Sequence, residues 1–349
     1  MHRKPKCIVV YPSRSSFIVK DIEIIKRRYT VIEYHFNRKK GIGLLVQLLH
    51  QFAFLVKYLP RADIVYVAFS QFQAVLPALF CRWMNKRCYI MVGGTDAHAF
   101  PEFGYGNYTR KILSLATCFA LRLCHRILPK HATLIHSDYT YASVIHCRQG
   151  YAVLCNNNQL AEKSTVIENG YDDNEWKPTG AKREKLIITT AVNTENKRDF
   201  LLKGIDLVLS VAPRFSDYTF WIIGSAKLYV EVLPPNVKLI PFAPRHELNE
   251  IYSRSQVYLQ LSMAEGFPNA LCEAMLCGCV PVVSGVFSMP EIVQDEGLVL
   301  KRKDVDELEK ILQHAIAMAE AGEGEKFRQS IVKRFGLERR AEMLLQAFA

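Results

Sequence analysis

Short apolar runs alternate with segments of helical periodicity along the whole chain. The runs cover 7–11, 31–36, 63–69, 88–92, 185–192, 219–223, 237–242, 256–261 and 280–284, and they are rich in β-branched residues. A run that is apolar throughout suits a strand covered on both faces, and such strands belong to parallel sheets with helices on either side. The pattern predicts an α/β protein of two doubly wound, Rossmann-like domains. Polar residues cluster around 156–185, in CNNNQ, ENGYDDNEWKP and TGAKREK, before a fresh strand begins. The hinge is expected there. The division that follows is 1–165 for a first domain, 166–330 for a second, and 331–349 for a C-terminal helix that crosses back to the first. Asp304 is placed to N-cap a helical stretch over 304–349, with interruptions at Gly322 and Gly324 and again at Gly336.

One helical segment, GIGLLVQLLHQFAFLVKYL at 41–59, is about as long as a bilayer requires. Its polar residues Gln47, His50, Gln51 and Lys57, advanced at 100° per residue, fall within one arc of about 120°, which describes a one-sided amphipathic helix and not a spanning one. Two readings stay open. The helix packs on a sheet with its polar stripe in water, or it lies on a membrane behind Arg38, Lys39 and Lys40.

Composition sharpens this picture. The 349 residues suit two domains with cores of their own, and 50% apolar with 23% charged residues excludes a disordered chain or a coiled-coil rod. None of the ten Cys forms a C-x-x-C pair and no H-E-x-x-H occurs, so no zinc site is expected and the cysteines read as reduced thiols. Residues 1–150 hold 22 Lys and Arg against 7 Asp and Glu, whereas residues 151–349 hold 23 against 27. A field this one-sided favours an anionic surface or an acidic ligand. No helix-turn-helix, zinc-finger or RRM-like signature accompanies it, so nucleic acid is not the expected partner.

The densest chemistry lies at 261–285, LSMAEGFPNALCEAMLCGCVPVVSG. It reads as a strand ending near Ser262, a turn holding Glu265, Gly266, Phe267 and Pro268, a helix from about Asn269 to Leu276, and a second strand from Val280. Backbone N–H groups of Asn269, Ala270 and Leu271 at the helix start favour a phosphate group. Glu273, one turn inside, suits a pair of neighbouring hydroxyls such as a ribose presents. Glu265, ahead of the helix, suits hydroxyls on whatever the other phosphate carries.

This string, with two Glu separated by seven residues, resembles the signature of the retaining family 4 glycosyltransferases. VIENGY at 166–171, followed by Asp172 and by Trp176-Lys177-Pro178, is similar to that family's linker, with Asn169 and Gly170 as its tight turn. Arg198 and Lys203, in NKRDFLLKGIDLVLSVA, resemble its Arg/Lys pair, which neutralises the donor diphosphate. The resemblance covers roughly 165–300. It departs at Pro268, where many members carry a second Gly, and at Asn193-Thr194, where Gly-Arg is frequent. The first strand is followed by YPSRSSF in place of the Gly-rich loop common in the family, so that loop's role is not carried over.

The resemblance implies a GT-B fold, with two Rossmann-like domains facing across a cleft, and transfer of a sugar from a nucleotide diphosphate sugar to an acceptor hydroxyl with retention, in polysaccharide or glycolipid synthesis. Glu265, Arg198 and Lys203 would act on the reacting centre, while Gly266, Phe267, Asn269, Ala270, Leu271 and Glu273 would bind the donor. Two cations and a helix N-terminus would shed the leaving group's charge, so neither metal nor cofactor is expected. In the first domain MVGGTDA at 91–97 resembles a Gly-Gly-Thr-Asp segment of a subset of these enzymes, which makes Asp96 the candidate acceptor-side group, with His98 as its alternative. The acceptor would be a saccharide or lipid-linked, and the location cytoplasmic, peripheral on an anionic membrane through the basic half. A nucleotide-sugar epimerase of the same fold and a non-catalytic nucleic-acid or membrane binder are the competing readings.

Overall fold

Strands buried on both faces form two separate parallel sheets in the computed structural model, which describes residues 4–37, 39–142 and 147–349. The chain divides into an N-terminal domain of 1–137, 148–169 and 338–349 and a C-terminal domain of 138–147 and 170–337. The chain thus crosses between domains inside the ENGY segment at 168–171, a few residues past the 165/166 boundary read from the sequence. Residues 138–147 group with the second domain, against the sequence reading.

In the N-terminal domain the order of elements is β1 (Lys6–Tyr11), α1 (Ser16–Arg28), β2 (Thr30–His35), α2 (Ile42–Tyr58), β3 (Ile64–Ala68), α3 (Phe72–Trp83), β4 (Arg87–Val92), α4 (Lys111–Leu123) and β5 (Arg126–Pro129). The strands pair in parallel in the order β2-β1-β3-β4-β5. On one face Ile8, Val10, Val65, Val67 and Ile90 pack beneath α2, α3 and α4. The other face is closed partly by residues from the far end of the chain. Phe348 sits against Tyr29, Tyr66 and Tyr89, with ring centroids 4.7–6.0 Å apart. Arg340 is buried and donates to Asp21 from Nε and Nη2, at 2.8 and 2.9 Å. The Tyr66 hydroxyl donates to the same carboxylate at 2.7 Å, and Arg340 also donates to the carbonyls of Ile167 and Glu168. With neither charge reaching water, the pair persists because each carboxylate oxygen has a donor.

The helix α2 corrects half of the expectation of a polar stripe in water: His50 and Lys57 are exposed, but the two glutamines are buried. Gln47 and Gln51 face inward, the former donating to the Tyr34 hydroxyl at 2.9 Å and the latter to the Gln73 carbonyl at 2.8 Å. The outward positions are Ile42, Leu45, Val46, Leu49, Phe52 and Val56. By length and composition α2 with its 3-10 extension could cross a membrane, but those inward bonds make it a helix of this domain. Of the cations expected to precede it, Lys39 and Lys40 are exposed and Arg38 lies outside the described residues. A second correction concerns the thiols. Cys118 on α4 and Cys155, far apart in sequence, meet as a disulfide.

The C-terminal domain runs β6 (Glu184–Thr190), α5 (Lys197–Leu202), α6 (Ile205–Val211), β7 (Thr219–Ile223), β8 (Val237–Ile240), α7 (Arg245–Arg254), β9 (Ser255–Gln260), α8 (Asn269–Leu276), β10 (Val280–Ser284), β11 (Val299–Leu300), α9 (Val305–Glu320), α10 (Gly324–Arg334) and α11 (Leu337–Ala347), whose residues from Glu338 on belong to the first domain. Its strands lie parallel in the order β8-β7-β6-β9-β10-β11. Asp304 caps α9, its carboxylate accepting from the Glu307 amide at 2.7 Å. The linker turn falls elsewhere than Asn169-Gly170. Asp172 makes it, accepting the Asn174 amide on its side chain at 2.9 Å and the Glu175 amide on its carbonyl.

Replacing Arg340 by Met should strand the Asp21 carboxylate in the core and cost about 3–5 kcal/mol in urea unfolding. The double variant Asp21→Asn/Arg340→Met should recover much of that loss, because no buried charge is left alone.

Candidate active site

Successive crossovers from β6 lead outward through β7 and β8 on one side, whereas β9, β10 and β11 lead outward on the other. The loops that leave β6 and β9 therefore part in opposite directions, which makes the carboxyl ends of these two strands the switch point, the place where an open α/β sheet offers a crevice. The candidate residues come from those two loops.

Contact between them begins at Gly204. Its φ of +69° is one that side chains avoid, and a Cβ there would lie 2.1 Å from the Leu261 carbonyl oxygen. Only glycine lets the α5–α6 turn approach the end of β9 so closely. The approach is locked by the Met263 amide donating to the Leu202 carbonyl at 2.8 Å. Lys203 and Glu265 are thereby brought together, Nζ to Oε1 at 2.6 Å. Burial works against the Lys203 charge, but the Glu265 carboxylate, helped by Asp199, outweighs it and lifts the ammonium above the ordinary lysine range. Lys203 is a firmly charged group at the crevice.

Arg198, the expected diphosphate clamp, is about half exposed beside its neighbour Asp199. Its guanidinium makes two bonds to the neighbouring Asp199, at 2.9 and 3.0 Å. Burial would raise the Asp199 carboxyl, yet Arg198, Asn196 and Lys203 hold it below the usual range. Arg198, Asp199, Lys203 and Glu265 thus form a string of alternating charge, in which Lys203 carries the cation next to Glu265 and Arg198 steadies Asp199.

Beyond Glu265 the chain folds Gly266 and Phe267 inward, and the Phe267 ring meets Phe335 edge-on at 5.2 Å. Pro268 takes the N-cap position of α8 and offers no side-chain cap, so Asn269, Ala270 and Leu271 form the first turn as the sequence predicts. The Tyr171 hydroxyl donates to Asn269 Oδ1 at 2.9 Å and ties this turn to the linker. Glu273 lies one turn on and is partly exposed. Both glutamates act on one group: burial pushes the Tyr258 phenol up, and Glu265 and Glu273 push it further.

That tyrosine belongs to a set the sequence reading missed. Tyr258 donates to Gln260 at 3.0 Å and accepts from the Thr190 hydroxyl at 2.7 Å, and Gln260 donates to the Ser262 hydroxyl at 2.8 Å. These polar side chains lie at or close to the carboxyl ends of β6 and β9. Their signal was present, since polar residues at 256, 258, 260 and 262 repeat with the period of a strand, inside a run otherwise read as uniformly apolar. The one Asp-x-Asp tripeptide, Asp304-Val305-Asp306, serves the fold. Asp304 is the cap of α9, and Asp306 pairs with Arg214 at 2.6 Å. Among the described residues no three His, Cys, Asp or Glu side chains gather as a metal cluster.

In the N-terminal domain Asp96 does not offer itself to an acceptor. It is fully buried, with Oδ1 accepting the amides of Gly93 and Gly94 at 2.9 and 3.0 Å and Oδ2 that of Ser70 at 2.9 Å. Burial raises its carboxyl, and these amides draw it back down. It brackets the loops after β3 and β4. His98 is likewise buried, against Phe100 and Tyr105. At the same edge Lys130, just past β5, lies 3.3 Å from the Phe17 ring centroid, and burial lowers its ammonium to about 7. It too escaped the sequence reading.

Comparison with known proteins bears on the family and the fold. The profile of the family described as glycosyl transferases group 1 matches residues 173–334. A phosphatidylinositol N-acetylglucosaminyltransferase subunit from Arabidopsis thaliana is 26% identical over 168 residues, 45% of this chain and 37% of that protein. The O-antigen chain mannosyltransferase B of Escherichia coli is 37% identical over 70 residues, 20% of this chain and 18% of that protein. The matches thus span well under half the length of these curated relatives. Among solved structures, sucrose-phosphate synthase from Thermosynechococcus elongatus superposes with a TM-score of 0.74 at 13% identity over 98% of both chains. HepE of Anabaena, solved with UDP, does so with a TM-score of 0.70 at 16% identity over 98% of this chain and 99% of that one. The fold is that of the GT-B glycosyltransferases.

If Asp96 brackets loops, Asp96→Ala should destabilise the protein by about 1–3 kcal/mol, because three backbone amides, two of them buried, lose their acceptor. Denaturant unfolding reads this directly, and unchanged stability would return Asp96 to the acceptor side.

Proposed function

We propose that this chain, whose C-terminal domain belongs to the group 1 glycosyl transferases, moves a sugar from a nucleoside diphosphate sugar to an acceptor hydroxyl with retention at the anomeric carbon. The observation that carries this reading is the 2.6 Å pair of Lys203 and Glu265 at the switch point, beside the uncapped start of α8. A sugar diphosphate needs positive charge where its leaving oxygens gather electrons. Lys203 and the first-turn amides of α8 supply it, with Arg198 acting at one remove through Asp199. Glu265 turns its carboxylate to the hydroxyls of the sugar, and Glu273 reaches the ribose of the nucleotide. In the proposed step the bond between the anomeric carbon and the diphosphate oxygen breaks, the acceptor oxygen bonds to that carbon on the same face, and the acceptor proton passes to the departing diphosphate.

Charge neutralisation by Lys203 and backbone dipoles makes the proposed transfer independent of a divalent metal. The relatives whose names mention phosphatidylinositol and O-antigen chains favour an acceptor that is lipid-linked or a growing saccharide, and a role in glycolipid or polysaccharide synthesis.

Steady-state kinetics on two variants, after a donor panel has identified the nucleotide sugar, test the assignment. Glu273→Ala should raise the donor KM by about ten-fold to a hundred-fold, as expected for a charge-assisted bond worth about 1.5–3 kcal/mol. Glu265→Gln should lower kcat by about a hundred-fold with a smaller change in KM, because its bonds tighten as the sugar gains positive charge. Turnover should persist in EDTA. Near-wild-type kinetics in both variants would remove these glutamates from the site, and activity lost to EDTA but restored by magnesium or manganese would show that charge neutralisation was assigned to the wrong groups.

A further inference from the structure

The outward side of the N-terminal helical layer is built unlike an ordinary solvated surface. Along α2 the residues Ile42, Leu45, Val46, Leu49, Phe52 and Val56 point outward, with Ile42 81% and Leu49 67% exposed. The bonds of Gln47 and Gln51 to Tyr34 and Gln73 fix the roll of the helix that way. The neighbouring helices continue the apolar surface. Trp83 at the end of α3 is 81% exposed, and Ile112, Leu115 and Phe119 stand out from α4. Phe52 and Trp83 both meet the ring of Phe80, at 5.4 and 6.2 Å, so the outer aromatic groups are seated on the core. Between the helices runs a groove of about 660 Å³ lined by Leu48, Phe72, Leu76, Leu115 and Phe119, with Arg122 at its border.

Charge on this layer has one sign. The sequences of α2, α3 and α4 contain no Asp or Glu, whereas Lys57, Arg82, Lys111 and Arg122 are all exposed. Lys39, Lys40, Arg61, Arg110 and Arg126 extend the positive rim on the adjoining segments. Apolar ridges on helices that carry cations and no acids, with exposed acids such as Asp63 and Glu102 only on the adjoining segments, match the boundary of an anionic bilayer, where acyl chains lie below a layer of phosphates. A second copy of this chain is a poorer fit, because a two-fold contact would set the same cations against each other.

We infer that the α2–α3–α4 face docks on an anionic phospholipid bilayer, with the α2 ridge and Trp83 entering the headgroup boundary, the groove taking hydrocarbon, and the surrounding Lys and Arg meeting lipid phosphates. The inference rests on the N-terminal domain alone. Its failure would leave the glycosyl-transfer reading intact.

Co-sedimentation of the full chain with vesicles of equimolar phosphatidylglycerol and phosphatidylcholine tests it against vesicles of phosphatidylcholine alone. Wild type should sediment with the anionic vesicles at low salt and release at high salt. Lys40→Gln/Lys111→Gln should weaken partition by about 25-fold, at about five-fold per cation. Leu45→Glu/Leu49→Glu should abolish sedimentation with an unchanged thermal melt, since both side chains are exposed. Absence of wild-type binding, or binding undiminished by the Leu45/Leu49 changes, would overturn the proposal. A concentration-dependent dimer that the same changes dissolve, without vesicle binding, would assign the face to a second copy instead.

Discussion

A parallel strand cannot turn straight back into its neighbour, and this constraint organises the molecule. Each return must cross the sheet through a helix, so every loop that leaves a strand in its carboxyl direction emerges on one edge. Where the strand order reverses, two such loops diverge and leave room between them. In the C-terminal domain the reversal lies between β6 and β9, whose following segments carry Lys203 and Glu265. The ion pair is a consequence of that topology. It forms only because Gly204 lets one segment reach the Leu261 carbonyl of the other.

The carboxylates and ladder residues buried at these edges are given partners, and the two domains do so in different ways. In the C-terminal domain the ladder from Thr190 through Tyr258 and Gln260 to Ser262 satisfies hydroxyl and amide groups at the switch point, where the glutamates stay partly exposed. In the N-terminal domain the carboxylates turn inward. Asp96 is consumed by three amides, and Asp21 by Arg340 and Tyr66. A carboxylate that already accepts from three backbone donors holds loops in place, and the same residue type with fewer donors stays available to a ligand.

The reversed amphipathicity of α2 follows from the same accounting. Two glutamines find inward partners in Tyr34 and the Gln73 carbonyl, so that part of the polar stripe is buried, while His50 and Lys57 stay at the surface. With the glutamines turned inward, most of the apolar stripe faces outward. The helix therefore serves the core through Leu55 and Leu59 at its end, while its remaining length stays a surface.

Much of this is legible in the order of the residues alone. Uniform apolar runs mark strands covered on both faces, and nine such runs correspond to strands of the two sheets. Local signals of turn and cap likewise locate the start of α8 after Pro268, the Asp304 cap and the Glu265 and Glu273 spacing, because each depends on residues within a turn or two of one another. Periodicity tells that a helix has two faces without telling which one is covered, and so α2 could be read either way. The attachment of Arg198 to Asp199, the burial of Asp96, the joining of Cys118 to Cys155 and the meeting of Arg340 with Asp21 were decided by the tertiary structure. Each depends on which donors, acceptors and apolar surfaces the fold brings opposite a side chain, and the last joins residues more than three hundred positions apart.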